Sequence, residues 1–352
     1  MANQHQALRI GILGAANIAR QFVRDVAPST AVSMVAVASR NADTAATFAA
    51  AQGIGRHHGS YEALLADREV DAIYLPLPNS LHAEWAIKAA ESGKHVLCEK
   101  PLALSLDEAT RMFDAAQRHG VVLLEAYPYY FQPQTQAMLD LLHSGAVGTV
   151  RSAQASFGFT LANPQGNIRM NPELGGGALL DAESYALSAI RLVMGCAPER
   201  VTADASWAES GVDIATMATL HYADGRRAQL SCAMDTANQR HLLVACSGGT
   251  IESEFLNHTS DTAGGHPHGY LPSGLRVRRG VANTIPFESI KAETGSGFRF
   301  AAEAFARLVA APDAHALQRA TAQSLDNAAT LQAIAESARN GGAAVAVRVG
   351  PV

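Results

Sequence analysis

Short apolar runs alternate with amphipathic segments along the first third of the chain. The apolar runs read as β-strands, because aliphatic and β-branched residues dominate short stretches bounded by turn residues. They cover Leu8 to Leu13, Val32 to Ala38, Val70 to Leu75, His95 to Cys98 and Val121 to Leu124. Between them, periodicity and capping residues predict helices over Asp43 to Ala51, Ser80 to Ser92 and Ser105 to His119. This βαβ alternation predicts a parallel sheet covered by helices.

After about Glu125 the pattern changes to longer stretches in which apolar and polar residues alternate. Such alternation is typical of an antiparallel sheet with one exposed face. The expected strands are Val150 to Phe159, Arg200 to Ala208, Val212 to Tyr222, Ala228 to Met234, His241 to Ser247 and a last one at Ala344 to Val349. The expected helices are Leu179 to Met194, Phe298 to Leu308 and Ala320 to Arg339, and Leu256 to Ala282 reads as a loop. We therefore expect one domain over residues 1–125 and a second α/β domain over residues 126–352.

Composition narrows the class of partner. The 352 residues are 48% hydrophobic and 17% charged, which is typical of a globular protein. The net charge of −5, with no dense Lys/Arg block, lacks the electrostatic footprint that nucleic acids or anionic membranes require. We expect a small-molecule partner, with neither a nucleic acid nor a membrane involved.

The cysteines and the amino terminus indicate a cytoplasmic location. The four cysteines are widely spread with no C-x-x-C pair, which argues against a zinc ribbon, a redox motif or a disulfide framework. The first ten residues lack the charged and apolar regions of a signal peptide. No apolar run reaches the roughly 18 residues of a membrane span.

A variant of the dinucleotide fingerprint, G-x-x-G-x-A, follows the first strand. Gly11, Gly14 and Ala16 are small enough for the backbone to approach a pyrophosphate closely. Asn17 and Ile18 open the next helix, whose amino terminus attracts phosphate. Glycines after a strand also form ordinary tight turns, but the position between a strand and a helix favours dinucleotide binding.

The second strand ends at Ser39 and Arg40, which bears on the choice of cofactor. NAD binders usually carry an acidic residue there for the ribose 2′-hydroxyl, whereas an arginine beside a hydroxyl suits a 2′-phosphate. The sequence therefore favours NADP(H), with NAD(H) possible. The alternative is that Arg40 is only a solvated residue after a strand.

The next strand leaves through Pro76, Leu77 and Pro78, whose prolines predict an extended loop. We expect Pro76, Leu77 and Asn79 to contact the ribose and nicotinamide half of the cofactor. His82, in the first turn of the following helix, is a further cofactor candidate. A histidine at such a position is more often structural.

The string His95-Val96-Leu97-Cys98-Glu99-Lys100-Pro101 places charged residues at the end of an apolar strand. The carboxyl ends of parallel strands are where ligands bind in open α/β sheets, so Glu99 and Lys100 are candidates for the cofactor site. Lys100 has a second interpretation as half of a surface ion pair with Glu99.

The chain resembles the Gfo/Idh/MocA family of nicotinamide-dependent oxidoreductases in G-x-x-G-x-A, PLPNSLH, HVLCEKPL, LLEAYPYYFQPQ and NPQGNIRMNPELGGGALLDAESY. The resemblance runs through most of the chain. It implies a Rossmann dinucleotide-binding domain followed by an α/β domain with a large open, mostly antiparallel sheet. In this family that sheet commonly joins subunits, which implies a homodimer or homotetramer.

The resemblance also implies the catalytic residues. Lys100 and Tyr185 would form the catalytic pair, Asp181 would orient the substrate or tune the pair, and Arg169 would lie near the cofactor or substrate. A free tyrosine has a pKa near 10, so acid or base work near neutral pH requires a neighbouring cation to stabilise its phenolate. The implied reaction is hydride transfer between NADP(H) and a CH–OH or C=O carbon of a carbohydrate or ketone. The alternatives without a catalytic role are that Tyr185 packs on an amphipathic helix face, that Asp181 caps a helix and that Arg169 is a solvated loop residue.

Two residues depart from the pattern of the relatives. Glu183 stands where relatives usually carry glycine, and Tyr130 stands where close relatives often carry arginine. Both are candidates for substrate contacts, although Glu183 can equally point away. His266 and His268 invite a metal interpretation, but no acidic or cysteine partner stands at a defined spacing, so no metal is expected.

Two other classes of function stay open. The same fold serves non-catalytic regulators that bind a dinucleotide or sugar, and glycoside hydrolases that use a tightly held NAD. The Lys100 and Tyr185 pair argues against a regulator, and Arg40 argues for an exchangeable NADP.

Overall fold

The chain divides into two compact units in a computed structural model that describes residues 7–262 and 266–350. The first unit extends to Ala103 and includes Asp107–Pro128 and Ser296–Thr321; the second contains Leu104–Leu106, Tyr129–Gly295 and the chain from Ala322 onward.

The first unit is built on a parallel sheet. Its strands are β1 (Leu8–Leu13), β2 (Val32–Ala38), β3 (Arg56–His58), β4 (Ala72–Leu75), β5 (His95–Glu99) and β6 (Leu123–Ala126). The helices between them are α1 (Asn17–Val26), α2 (Ala42–Gln52), α3 (Tyr61–Leu65), α4 (His82–Glu91) and α5 (Leu106–Arg118). The strand order β3-β2-β1-β4-β5-β6, with every neighbouring pair parallel, is that of a Rossmann fold.

The Rossmann prediction is confirmed, and the differences are local. β3 was not expected, because its three residues Arg-His-His carry no apolar signal; it forms by pairing with the end of β2. The strand expected at Val121 to Leu124 begins and ends two residues later, where it pairs with β5.

The second unit is built on a nine-stranded sheet. Its strands are β7 (Val150–Thr160), β8 (Arg200–Trp207), β9 (Asp213–His221), β10 (Arg227–Ala233), β11 (Asp235–Cys246), β12 (Gly249–Ser253), β13 (Arg276–Arg279), β14 (Glu288–Ser289) and β15 (Val345–Ala346). The helices are α6 (Pro133–His143), α7 (Ser184–Met194), α8 (Gly297–Ala310) and α9 (Ala314–Arg339), of which α8 lies in the first unit and α9 reaches the second from Ala322. The order is β14-β13-β12-β11-β7-β10-β9-β8-β15, and β7 with β10 is the parallel pair in an otherwise antiparallel sheet. The predicted mostly antiparallel sheet is therefore confirmed.

The expectation of a loop over Leu256 to Ala282 is wrong at its end. There β13 pairs with β12, with Val277 opposite Ile251 and both side chains fully buried. The sequence of β13 is one valine flanked by arginines, which shows no strand pattern of its own. Its strand conformation depends on the pairing with β12. Gly264 and Gly265 of this segment lie outside the described residues.

The segment Ser296–Thr321 belongs to the first unit, although the sequence placed all of residues 126–352 in a second domain. Ser296 donates a hydrogen bond to Asp25 (Oγ to Oδ2, 3.0 Å), and the ring of Phe298 packs edge-on against Phe22, with centroids 5.6 Å apart. Phe22 in turn stacks on Tyr74 of β4 at 3.8 Å. These contacts bring a late helix into the core of the first unit.

Three further observations concern membranes, metals and thiols. In the described ranges no helix is both long and apolar enough to cross a membrane. The same residues contain no group of three or more His, Cys, Asp or Glu side chains arranged to hold a metal ion. All four cysteines are free thiols.

Candidate active site

The glycine turn after β1 has the shape the fingerprint predicts. Gly14 has φ of +123°, and a Cβ added there would lie 2.8 Å from a methyl group of Leu77. Gly11 is similarly crowded, since a Cβ would lie 3.0 Å from side-chain atoms of Leu64 and of Val70. Glycine at position 14 is therefore required both by the left-handed backbone and by the approach of Leu77.

The start of α1 is open for an anionic ligand. Ala16, extended at the N-cap, offers no capping side chain, and Asn17 and Ile18 are exposed. The first backbone N–H groups of a helix lack partners within it, and the helix dipole favours negative charge there. The turn and the helix start together form a cradle that suits a pyrophosphate.

Ser39 and Arg40 lie at the carboxyl end of β2, next to the glycine turn. Gly14 N donates to Ala38 O at 3.0 Å, and Ser39 N donates to His58 O at 3.1 Å. Arg40 is exposed, and its charge acts on the nearby hydroxyl of Tyr61. Burial raises the pKa of Tyr61, and the Arg40 cation opposes that rise. An exposed guanidinium therefore lies at the strand end where a 2′-phosphate is expected.

His82 holds the loop Pro76-Leu77-Pro78, and the structure does not support the predicted direct contact between His82 and the cofactor. The imidazole is fully buried, with Nδ1 2.9 Å from Pro101 O and Nε2 2.9 Å from Leu77 O. Burial lowers its pKa. His82 is thus a structural bridge between two loops, while Pro76 and Leu77 are buried and Asn79 is half-buried.

Glu99 faces the core of the first unit and not the surface. It is 8% exposed and accepts a hydrogen bond from the hydroxyl of Tyr74 at 2.7 Å (to Oε1) and another from Lys100 N at 3.3 Å (to Oε2). The predicted contact between Glu99 and cofactor is therefore not supported, nor is a surface ion pair with Lys100. Lys100 is half-buried at the end of β5, and its peptide bond to Pro101 is cis.

In the second unit the structure brings Asp181 and Arg169 together. Arg169 Nε donates to Asp181 Oδ2 at 2.5 Å, and the Arg169 guanidinium lies 5.8 Å from the ring centroid of Phe159. The glycines Gly176 and Gly177 allow this approach: Gly177 N donates to Arg169 O at 2.9 Å, and a Cβ on Gly176 would lie 2.5 Å from that same oxygen. Asp181 lies in a single π-helical turn, Leu179–Glu183, that precedes α7.

Tyr185, in the first turn of α7, lies in a polar and aromatic setting. Its ring is 7% exposed and stacks on Phe157 of β7, with centroids 4.9 Å apart and planes at 7°. Asn257 Nδ2 donates to its hydroxyl oxygen at 3.0 Å, and the guanidinium of Arg240 lies 5.3 Å from its ring centroid. Tyr185 therefore has both a hydrogen-bond donor and a cation beside it.

The structure does not support the predicted contact between Glu183 and substrate, and it agrees with the alternative that the side chain points away. Its side chain is fully buried between the π-helical turn and the sheet, where Cys232 Sγ donates to its Oε2 at 3.3 Å and Oε1 has no partner among the residues described. Burial first, and then the Asp213 carboxylate, raise its pKa well above the usual range. The sequence contained a sign of this burial, because at helical spacing residue 183 lies on the side of the helix opposite to residues 181 and 185.

The prediction for Tyr130 is not supported either. Its hydroxyl donates to Ser188 O at 3.3 Å, Asn327 Nδ2 donates to it at 3.5 Å, and its ring packs edge-on against Tyr129 with centroids 4.9 Å apart. These contacts hold the α7 and α9 helices of the second unit. The Tyr130 hydroxyl is thus used within the fold.

Asn257 and Arg240 are the residues that the sequence analysis missed. Asn257 lies in an irregular segment after β12, and Gln132 fixes its backbone by donating to Asn257 O at 2.7 Å. Arg240 lies on β11 among polar residues that look solvated. Neither carries a motif, so only the folded chain shows that both reach Tyr185.

Comparisons with known proteins identify the family. A profile described as an oxidoreductase family with an NAD-binding Rossmann fold matches residues 8–127, and the profile of the Gfo/Idh/MocA C-terminal domain matches residues 135–252. The chain belongs to the Gfo/Idh/MocA family. The resemblance stated from the motifs, and the oxidoreductase class it implied, are confirmed.

Similar proteins within the family act on several substrates. The chain is 37% identical to an NADP(+)-dependent D-xylose 1-dehydrogenase of Haloferax volcanii over 96% of this chain and 99% of that one. It is 32% identical to trans-1,2-dihydrobenzene-1,2-diol dehydrogenase of Danio rerio, over 95% of this chain and 96% of that one. A solved 3-ketoreductase of Actinomadura kijaniata, in complex with NADP and TDP-benzene, superposes with a TM-score of 0.82 at 30% identity, covering 94% of this chain and 98% of that one.

Proposed function

We propose that the protein is an NADP(H)-dependent oxidoreductase that transfers a hydride to or from a CH–OH or C=O carbon of a sugar or polyol-like substrate. The observation that carries the proposal is the setting of Tyr185, whose hydroxyl accepts a hydrogen bond from Asn257 beside the Arg240 cation, in a chain of this family. The functions of relatives support a carbohydrate-like substrate.

The residues of the first unit fit the cofactor. The glycine turn at Gly14, an open helix start at Asn17 and the exposed Arg40 match the pyrophosphate and 2′-phosphate. A guanidinium makes charge-assisted, bidentate bonds to phosphate oxygens, which favours NADP(H) over NAD(H). When bound, the nicotinamide supplies or accepts the hydride.

The acid/base work falls to Tyr185. In the oxidising direction the phenolate oxygen takes the proton of the substrate hydroxyl as the hydride leaves its carbon; in the reducing direction the phenol returns that proton to the carbonyl oxygen. The Asn257 amide donates to this same oxygen and so stabilises its anionic form. We also assign to Lys100 a positive charge that stabilises the phenolate of Tyr185. This assignment rests on the family match and on the need of a tyrosine base for a neighbouring cation.

Asp181 has a positioning role in this proposal. Its carboxylate is held by Arg169, so its orientation is set before a substrate arrives. Carboxylate oxygens accept hydrogen bonds from hydroxyl groups, which are the groups that a sugar or polyol presents.

The test is a panel of sugars, polyols and ketones followed at 340 nm with NADP+ or NADPH and with NAD+ or NADH. Wild type is compared with Tyr185→Phe, Lys100→Met and the control Lys291→Met, at an exposed position. We expect turnover with wild type and the control, and a loss of at least 100-fold in kcat for the first two variants. Full activity in both would refute the acid/base assignment.

The same panel separates the other two functions. A regulator would bind dinucleotide without any change at 340 nm. A glycoside hydrolase of this fold would retain NAD at full stoichiometry through denaturing extraction. Tight preference for NAD over NADP would contradict the role of Arg40.

We also propose that copies of the chain associate through the outer face of the nine-stranded sheet. Met217 on β9 is 69% exposed there, between the polar side chains of Ser231 and Asp204 on the flanking strands. Light scattering should give a dimer or tetramer, and Met217→Asp should lower the mass toward that of one chain. An unchanged mass for the variant, or a monomeric wild type, would contradict this assembly.

A further inference from the structure

Arg240 is a cation of the second unit whose charge the fold leaves uncompensated. It lies on β11 directly opposite Phe157 of β7, so the two side chains share one face of the sheet. Its guanidinium carbon is 4.3 Å from the Phe157 ring centroid and 5.3 Å from that of Tyr185. The side chain is half-buried, and this burial lowers its pKa even though Tyr185 and Asp181 oppose the effect.

Arg191 of the same unit has a different environment. Arg191, also largely buried, is paired with Asp326 through Nε. For Arg240 no hydrogen bond or ion pair of the side chain exists within residues 7–262 and 266–350. Asp181 is the carboxylate that influences it electrostatically, and that carboxylate is already bound by Arg169. The charges of Arg240, Arg169 and Asp181 therefore sum to one positive charge within this cluster of the second unit.

An arginine withdrawn from water without an anion is costly, and cation–π contacts recover only part of that cost. A ligand anion would restore the balance, because the guanidinium presents five donors in a fork that matches carboxylate and phosphate oxygens. The position beside Tyr185 makes the reacting substrate the natural source of that anion.

We propose that Arg240 is a specificity residue that binds an anionic group of the substrate, so that the protein acts on an acidic sugar, either a sugar carboxylate or a sugar phosphate. This inference rests on the proposed oxidoreductase function and refines its substrate class. Binding such a group would direct the neighbouring CH–OH or C=O carbon toward the hydroxyl of Tyr185.

The experiment compares sugars that differ only in the neutral or anionic group at C6. Glucose, glucuronate and glucose 6-phosphate, and the corresponding galactose series, are assayed with NADP+ for wild type, Arg240→Gln and the control Arg151→Gln, an exposed arginine of β7. We expect kcat/KM for the preferred anionic member to exceed that for the neutral sugar by at least tenfold, and Arg240→Gln to remove this preference by a loss of about 10- to 100-fold. The carboxylate and phosphate arms decide which anion is bound. Arg151→Gln should behave as wild type.

Two results would overturn the inference. Equal kcat/KM for neutral and anionic sugars in wild type would do so, as would equal losses on both in Arg240→Gln, which would mean that Arg240 acts on Tyr185 alone. If Arg240→Gln fails to fold, Arg240→Lys and competition by glucuronate and glucose 6-phosphate against a neutral substrate of wild type decide instead.

Failure of the proposed function itself is distinguishable. In that case no sugar is turned over, and calorimetric titration of wild type with glucuronate, glucose 6-phosphate and glucose in the presence of NADP+ still measures whether an anion is preferred. Absence of any preference in binding would then overturn the anion site separately.

Discussion

The buried carboxyl of Glu183 should make the stability of the protein depend on pH in a direction opposite to that of a salt-bridged acid. Its pKa is raised well above the usual range by burial and by Asp213, so the folded chain keeps the proton over a range in which the unfolded chain has lost it. Below the pKa of a free glutamate, near 4.3, both states are protonated and no penalty arises. Above that value, stability should fall by about 1.4 kcal/mol per pH unit until the folded-state pKa is reached.

Glu183→Gln removes this titration while keeping the shape of the side chain. The amide buries one additional donor, so the variant has no large advantage at pH 4.5. Its free energy of unfolding relative to wild type should then rise with pH by up to about 1.4 kcal/mol per unit. For domains of 150–250 residues, 1 kcal/mol corresponds to about 2–4 °C in Tm.

Thermal melts of wild type, Glu183→Gln and the exposed control Glu209→Gln at half-unit steps from pH 4.5 to 8.5 measure this slope. The control should run parallel to wild type. Parallel curves for Glu183→Gln as well would refute the reasoning, because they would mean that Glu183 titrates alike in the folded and unfolded chain.

Three further predictions concern packing and positioning. Gly14→Ala should abolish measurable NADP(H) binding by calorimetry, since the new Cβ meets Leu77 at 2.8 Å on a backbone with φ of +123°; wild-type affinity would contradict the cradle. Asn257→Leu should lower kcat by about tenfold with an unchanged cofactor Kd, because it removes the hydrogen bond to Tyr185; an unchanged kcat would sink that role. Phe298→Ala should destabilise the first unit by about 3–5 kcal/mol in urea unfolding, since the ring is 2% exposed; a loss below 1 kcal/mol would show that α8 adds little to that core.

Much of the first unit was predictable because its signals are local. The bounds of β1 and β2 agree with the apolar runs residue for residue, and Gly14 and Arg40 lie where the strand–turn–helix pattern puts them. The failures there are equally local in origin. His82 and Glu99 are polar residues at strand and helix ends where ligands often bind. The pattern does not show that both side chains form hydrogen bonds with partners inside the core.

The second unit was less predictable because its chemistry depends on pairing over long distances in sequence. The burial of Glu183 was not predicted. Residue spacing shows which residues share a helix face, but it does not show which face packs against the sheet. β13 was missed because its strand exists only by pairing with β12.

The amino-acid sequence by itself determined the parallel sheet, the glycine turn, the charged strand ends and the family, because each is encoded by residues close together in the chain. The tertiary structure decided which side chains surround Tyr185. Phe157, Asn257 and Arg240 reach it from separate strands and loops, through a strand register and a loop path that no short pattern specifies. Such contacts form only when whole strands, helices and loops pack together, and they place a cation and a hydrogen-bond donor beside Tyr185.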